Sequence, residues 1–257
     1  MATYNKRGYK PKTKAEKVVE EVDDSTTAEV FASLDEGASR TEEWVEKNQK
    51  GIFGVIIAVL VIALGYLAYN KFISEPKIEE AANELTVAQE SFTLALEASN
   101  TNVTDSLYQV ALDGSRGKYG LLEVADKYSG TPSGNLAHYY AGMSYLELKD
   151  YKNAISHLED FSSNDMMLAP LAEGAIGDAF MQLDQADQAL SHYENAFALS
   201  TNDFTTPRFL FKAAVAAIDL GKNDKAVKYL TRVKEEFSAS DYAKQVDLYL
   251  GRAQAGK

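Results

Sequence analysis

The chain has no cysteine, and that absence excludes several kinds of site. Without thiols there can be no disulfide framework, no thiol nucleophile and no thiolate metal site. Histidine is almost as scarce, with only His138, His157 and His192. No pair of these has metal-ligand spacing, and no Gly-rich loop follows a strand, as a phosphate cradle would require. We therefore expect no catalytic residues, no cofactor and no metal, and the sequence predicts a protein that is not an enzyme.

Lys and Arg are also fewer than Asp and Glu, 26 against 38. The formal net charge is −12, and residues 1–50 carry 9 Lys and Arg against 11 Asp and Glu, so most of the excess negative charge follows residue 50. A domain of this sign argues against nucleic acid as the partner. The carboxylates are scattered at spacings typical of solvated helix surfaces rather than paired for catalysis.

One long uncharged run, residues 51–69, determines how the rest of the chain is interpreted. Its 19 residues, GIFGVIIAVLVIALGYLAY, are just enough for a helix to cross a bilayer. Its eleven Leu, Ile, Val and Phe residues would gain at most about 3–7 kcal/mol on insertion. Lys50 and Lys71 lie just outside the run, and Trp44 and Phe72 add aromatic residues at its two ends. A buried core helix is the alternative, but such helices are usually shorter or carry a polar stripe.

Basic residues near the run predict its orientation. Arg40, Lys47 and Lys50 precede it, and an acidic stretch soon follows it. By the positive-inside rule the N-terminus stays in the cytoplasm and the larger domain is exported. Small residues fall along one side of the run and would let another membrane helix approach closely, although glycine is common in such helices anyway; they are Gly51, Gly54, Ala58 and Gly65.

The remaining pattern divides the chain into four parts. Residues 1–38 form a cytoplasmic, mostly disordered tail, with a helix end at Gly37. Residues 39–73 form a juxtamembrane and transmembrane helix that begins at the capping box Ser39-Arg40-Thr41-Glu42. Ser74-Glu75-Pro76 marks a break, residues 74–98 form an amphipathic connecting helix, and residues 99–257 form the last domain, in which no strand is expected.

A repeated pattern predicts the architecture of that last domain. Ala154, Ala189 and Ala226 occupy the same place in three successive copies, each with two helices. This is the pattern of the tetratricopeptide repeat, whose period is about 34 residues. Gly142 and Gly177 would let the paired helices lie close together, and residues 238–254 would supply a capping helix with Leu250-Gly251 in register. The predicted fold class is all-α: a single transmembrane helix followed by a tetratricopeptide-repeat helical solenoid.

We expect partners to bind the concave face formed by the first helix of each pair. Apolar members of that face could instead pack against neighbouring helices, including the helix at 78–96. The predicted partner-binding residues are Leu136, Tyr139, Met143, Leu146, Leu171, Asp178, Met181, Gln182, Arg208, Phe211, Val215, Ile218 and Asp219.

From Lys47 onward the chain resembles the YfgM-like ancillary subunit of the bacterial SecYEG translocon. The resemblance is strongest at GIFGVIIAVLVIALGYLAYNKF, KYGLLEVADKYSGTPSGNLAHYYAGMSYLELKDYKNAISHLE and GAIGDAFMQLDQADQAL. It implies a single-pass protein of the bacterial inner membrane with a periplasmic domain. The implied partners are SecYEG, a membrane-anchored periplasmic chaperone of the prolyl-isomerase type, and exported polypeptides that are handed over. The N-terminal tail is long for that family.

Two other functions remain open at this point. The chain could be a scaffold for a different cell-envelope assembly, such as cytochrome maturation, outer-membrane secretion or division. An enzyme would require a catalytic cluster that the sequence does not reveal.

Overall fold

The computed structural model describes residues 14–255, and these divide after Asn70 into two compact units.

The first unit is one long helix, α1, from Lys14–Tyr69. The helix begins well before the capping box, so residues 14–38, which the sequence predicts to be mostly disordered, are helical here, and residues 1–13 lie outside the described part. Five Glu and four Ala residues in this stretch favour helix, and the cost of about 1 kcal/mol for Gly37 is too small to end it. Ser39 is therefore a position inside the helix and not its N-cap.

The apolar run in α1 is exposed along its length, with Val55 65% and Ile62 72% accessible. Among the described residues, one helix is long and apolar enough to cross a membrane.

Near the start of the second unit, Ser74-Glu75-Pro76 is helical, although the sequence predicts a break there. A π-helical turn, Asn70–Ser74, leads directly into α2, Glu75–Glu97, with Pro76 in its first turn. Proline has no N–H to donate, which a first turn tolerates. α2 turns one apolar face inward, as its periodicity predicts; the buried residues are Ala81, Leu85, Ala88, Phe92 and Ala95.

Two short strands interrupt the helices, although the sequence predicts none. β1, Gly114–Ser115, pairs antiparallel with β2, Lys118–Tyr119. The strands are only two residues long, too short for any alternation of apolar and polar residues to reveal them. They join α3, Thr101–Asp113, to α4, Leu121–Lys127.

The rest of the unit is built of successive helix pairs. They are α5 Pro132–Glu147 with α6 Tyr151–Asp160, α7 Leu168–Gln182 with α8 Ala186–Leu199, and α9 Thr205–Asp219 with α10 Asn223–Glu236. A 3-10 turn, Asp241–Gln245, then precedes α11, Val246–Ala255.

Close approach within the pairs depends on glycine. A Cβ on Gly177 would lie 2.6 Å from the ring of Tyr193, and one on Gly142 would lie 2.5 Å from Cγ of Leu158. Gly251, at the matching position of α11, has open space instead. α11 packs through Val246 and Ala253, which are fully buried, rather than through Gly251.

Candidate partner-binding groove

The inner side of the helix pairs forms a groove with a volume of about 600 Å³. Six residues of the predicted concave face line it: Leu146, Asp178, Met181, Gln182, Phe211 and Val215. They come from α5, α7 and α9, the first helix of each pair, which supply most of the groove lining.

A partly buried charge cluster lies in the wall of the groove. Asp178 accepts a hydrogen bond from the Tyr193 hydroxyl at 2.7 Å and two from Nζ of Lys212 at 2.5 and 2.6 Å. Nη2 of Arg208 lies 4.0 Å from the same carboxylate. Two cationic side chains, Lys212 and Arg208, therefore approach one carboxylate.

Burial controls the ionisation of this cluster. It lowers the pKa of Lys212, although the Asp178 carboxylate opposes the shift. Burial also raises the pKa of the Tyr193 hydroxyl, and the negative charge of Asp178 raises it further. Tyr193 therefore stays protonated as a donor, and the three side chains fix one another in place.

Sequence reasoning missed several lining residues. Lys212 lies one turn after Arg208 on α9, so helical periodicity could have found it. Tyr193 belongs to α8 and Tyr249 to α11, and no periodicity within α5, α7 or α9 points to them. The other missed residues are Glu147, Lys149 and Tyr151, at or after the C-terminal end of α5.

The structure places the other predicted residues outside this lining. Leu136 packs against the core between α2 and α5, and Met143 packs against two core clusters. The ring of Tyr139 lies 5.2 Å from that of Phe161. Leu171 and Ile218 pack against the C-terminal core, and Asp219 is exposed.

The small residues of α1 are all accessible. A Cβ on Gly51, Gly54 or Gly65 would meet no atom of the described chain within 4 Å, and Ala58 is exposed. This side of α1 has room for a second helix.

The histidines pack between helices of the pairs. Nδ1 of His138 lies 3.2 Å from Nδ1 of His157, and Tyr145 stacks on the His157 ring. In the next pair Phe180 stacks on His192. The two stacks occupy equivalent repeat positions, which supports a structural role for these rings.

The described residues contain no group of three or more His, Cys, Asp or Glu side chains placed to hold a metal ion. The residues that line the groove offer apolar contacts, hydrogen-bonding groups and charges to a partner.

Comparisons with known proteins agree with this geometry. A family model described as "Tetratricopeptide repeat" matches residues 136–165 and 209–240. The chain is similar to the crystal structure of nearly identical TPR-like repeats of a kinesin light chain from Podosopora anserina, with 15% identity and a TM-score of 0.51. That match covers 65% of this chain and 85% of the other. No curated protein matches the sequence. The second unit of the chain is thus a solenoid with tetratricopeptide repeats, a fold that typically serves as a non-catalytic protein–protein interaction module.

Proposed function

We propose that this chain is a membrane-anchored periplasmic interaction module that associates with the Sec translocon and helps periplasmic chaperones receive exported proteins. The observation that carries the proposal is that one chain joins an exposed apolar helix of membrane-spanning length to a solenoid with an open groove. The apolar helix would hold the solenoid beside a membrane channel.

The chemistry of the groove supports binding of a polypeptide segment. Met181, Phe211 and Val215 offer apolar contacts of different shape, and methionine adapts readily to varied partners. The fixed Lys212–Asp178 pair offers polar groups beside them. A shallow site of this kind suits many related segments, as a hand-over role requires.

The exposed small residues of α1 support contact within the membrane. Gly54 and Ala58 lie one turn apart, so a partner helix could approach the backbone closely there. In this proposal the partner is a translocon helix, and the N-terminus stays in the cytoplasm.

Site-specific photocrosslinking in living cells tests both contacts. We expect a crosslinker at Gly54 to capture a translocon subunit, and one at Gln182, which is exposed in the groove, to capture chaperones or exported polypeptides. A crosslinker at Glu235, exposed on α10 outside the groove lining, is the control.

Two results would refute the proposal. One is recovery of a different envelope assembly from Gly54 without any translocon component. The other is a reporter fused after Lys257 that is active only in the cytoplasm, which would reverse the orientation.

A further inference from the structure

A second concavity lies on the side of α7 that faces away from the groove. Successive helical residues are rotated by about 100°, so Glu173 and Ile176 lie roughly 150° around α7 from Asp178. The cavity has a volume of about 280 Å³, and its floor includes Leu158, Ala172 and Ile176, which are 2%, 5% and 3% exposed. We call it the acidic pocket; its other lining residues include Glu159, Phe161, His192 and Leu199.

Exposed apolar side chains lie at and near the acidic pocket. Leu199 lines it and is 55% exposed, and Met166 and Phe204 on the adjoining loops are 66% and 60% exposed. The two loops are tied together, because the Ser200 hydroxyl donates to the Met166 carbonyl at 2.7 Å and Asn202 Nδ2 donates to the same oxygen at 3.2 Å. Solvent-exposed apolar side chains grouped on ordered loops commonly mark an interaction site.

The charge around the acidic pocket has one sign. The 55 residues at 153–207 contain nine Asp and Glu but no Lys or Arg. Lysines later in the chain pair with three of these carboxylates, on Asp178, Asp187 and Glu194.

Glu159 and Glu173 are not neutralised in this way. Within the described part of the chain neither forms an ion pair with Lys or Arg, and Oε2 of Glu173 lies 2.9 Å from Nδ1 of His192. The pocket therefore combines an apolar floor with carboxylates that no lysine or arginine neutralises.

We propose that the acidic pocket docks a cationic amphipathic segment of another polypeptide. One apolar side chain enters the cavity, which is smaller than most small-molecule sites and suited to a single anchor residue. Lysine or arginine residues beside that anchor contact Glu159 and Glu173. The carboxylates repel anionic lipid headgroups and nucleic acid, which leaves a basic protein segment as the matching occupant. This site is separate from the groove, whose central carboxylate is already paired with Lys212.

Selection from a random peptide library on the full-length chain in detergent micelles tests this proposal. We expect an enriched class in which an aliphatic or aromatic residue is flanked by Lys or Arg. Binding of these peptides should weaken about tenfold with Glu159→Lys or Glu173→Lys and several-fold with Leu199→Ser. High salt should weaken it as well.

The matched control is Glu235→Lys, which makes the same change in net charge on exposed α10 and should alter binding less than about twofold. Absence of such a peptide class overturns the proposal. So does an equal loss of binding in the control, which would indicate nonspecific attraction to an acidic protein. A change in sedimentation of the free chain caused by Glu173→Lys would make a second copy the occupant and would also overturn it.

Discussion

At the scale of single residues, small side chains decide how closely paired helices approach. Gly177 leaves the space that the Tyr193 ring fills, and the Tyr193 hydroxyl then reaches Asp178 in the groove wall. Gly177, which allows the close helix packing, therefore also positions the Tyr193 hydroxyl in the candidate site.

We predict that Gly177→Ala lowers the free energy of unfolding by about 1–3 kcal/mol, because the added methyl group overlaps a ring held on both sides. Denaturant unfolding of the detergent-solubilised chain measures this. Gly251→Ala is the control: its Cβ meets open space in a helix, so it should be neutral or stabilise by up to about 1 kcal/mol. Equal effects of the two substitutions would contradict this packing role.

The position of the His157 ring between α5 and α6 leads us to predict that stability depends on pH. Burial, and then the neighbouring charge of His138, lower the pKa of His157 below its ordinary 6.5. His157 therefore binds a proton more readily in the unfolded chain than in the folded chain. The contribution of the neutral ring to the free energy of unfolding is fully present above pH 6.5 and is lost as the pH falls toward the lower pKa of the folded state. We predict that His157→Gln reduces this loss, as measured by melting temperature across the interval. An unchanged pH dependence would show that the buried ring does not cause it.

At the scale of elements, the Asp178 cluster ties three helices together. Asp178 is on α7, Tyr193 on α8 and Lys212 on α9, so one carboxylate links a helix pair to the next repeat. The side chains of Asp178 and Lys212 are only 24% and 28% exposed, so neither is well solvated without the other.

We predict that Asp178→Asn destabilises the chain by about 1–3 kcal/mol, because Lys212 then keeps a half-buried charge without its counter-ion. The double variant Asp178→Leu with Lys212→Met should recover most of that loss, since both charges are removed. Denaturant unfolding of the set measures both effects. A double variant as unstable as Asp178→Asn would contradict the ion pair as the cause.

At the scale of the whole second unit, each helix pair is stabilised by packing against the neighbouring pair. The apolar surface of the last pair, α9 and α10, is covered by α11 and the turn that precedes it. The ring of Tyr249 lies 4.9 Å from that of Phe211, and Val246 is fully buried. Tyr249 also lines the groove, so the cap completes the candidate site.

We predict that truncation after Ser240 lowers the melting temperature and increases aggregation, because it uncovers the apolar surface of α9 and α10. Thermal unfolding with light scattering measures both. Leu248→Ser, at a residue of α11 that is 68% exposed, should change stability by no more than about 0.5 kcal/mol. A truncated chain that melts like the intact one would show that α11 is not a cap.

The sequence predicted the regular features well. The repeat spacing predicted the helix pairs. It missed the early start of α1 because helix propensity outweighed the single Gly37. It missed the two short strands because two residues carry no periodicity.

By itself, the sequence determined whatever depends on neighbouring residues: the length of the apolar run, the helical spacing of apolar positions and the repeat that pairs the helices. Only the tertiary structure decided which distant side chains meet. Lys212 contacts Asp178 from 34 positions away, Tyr249 reaches the groove from α11, and the acidic pocket forms where α6, α7 and α8 converge. These meetings depend on how each helix pair stacks on the next, a geometry set by packing across the whole solenoid rather than by any local pattern.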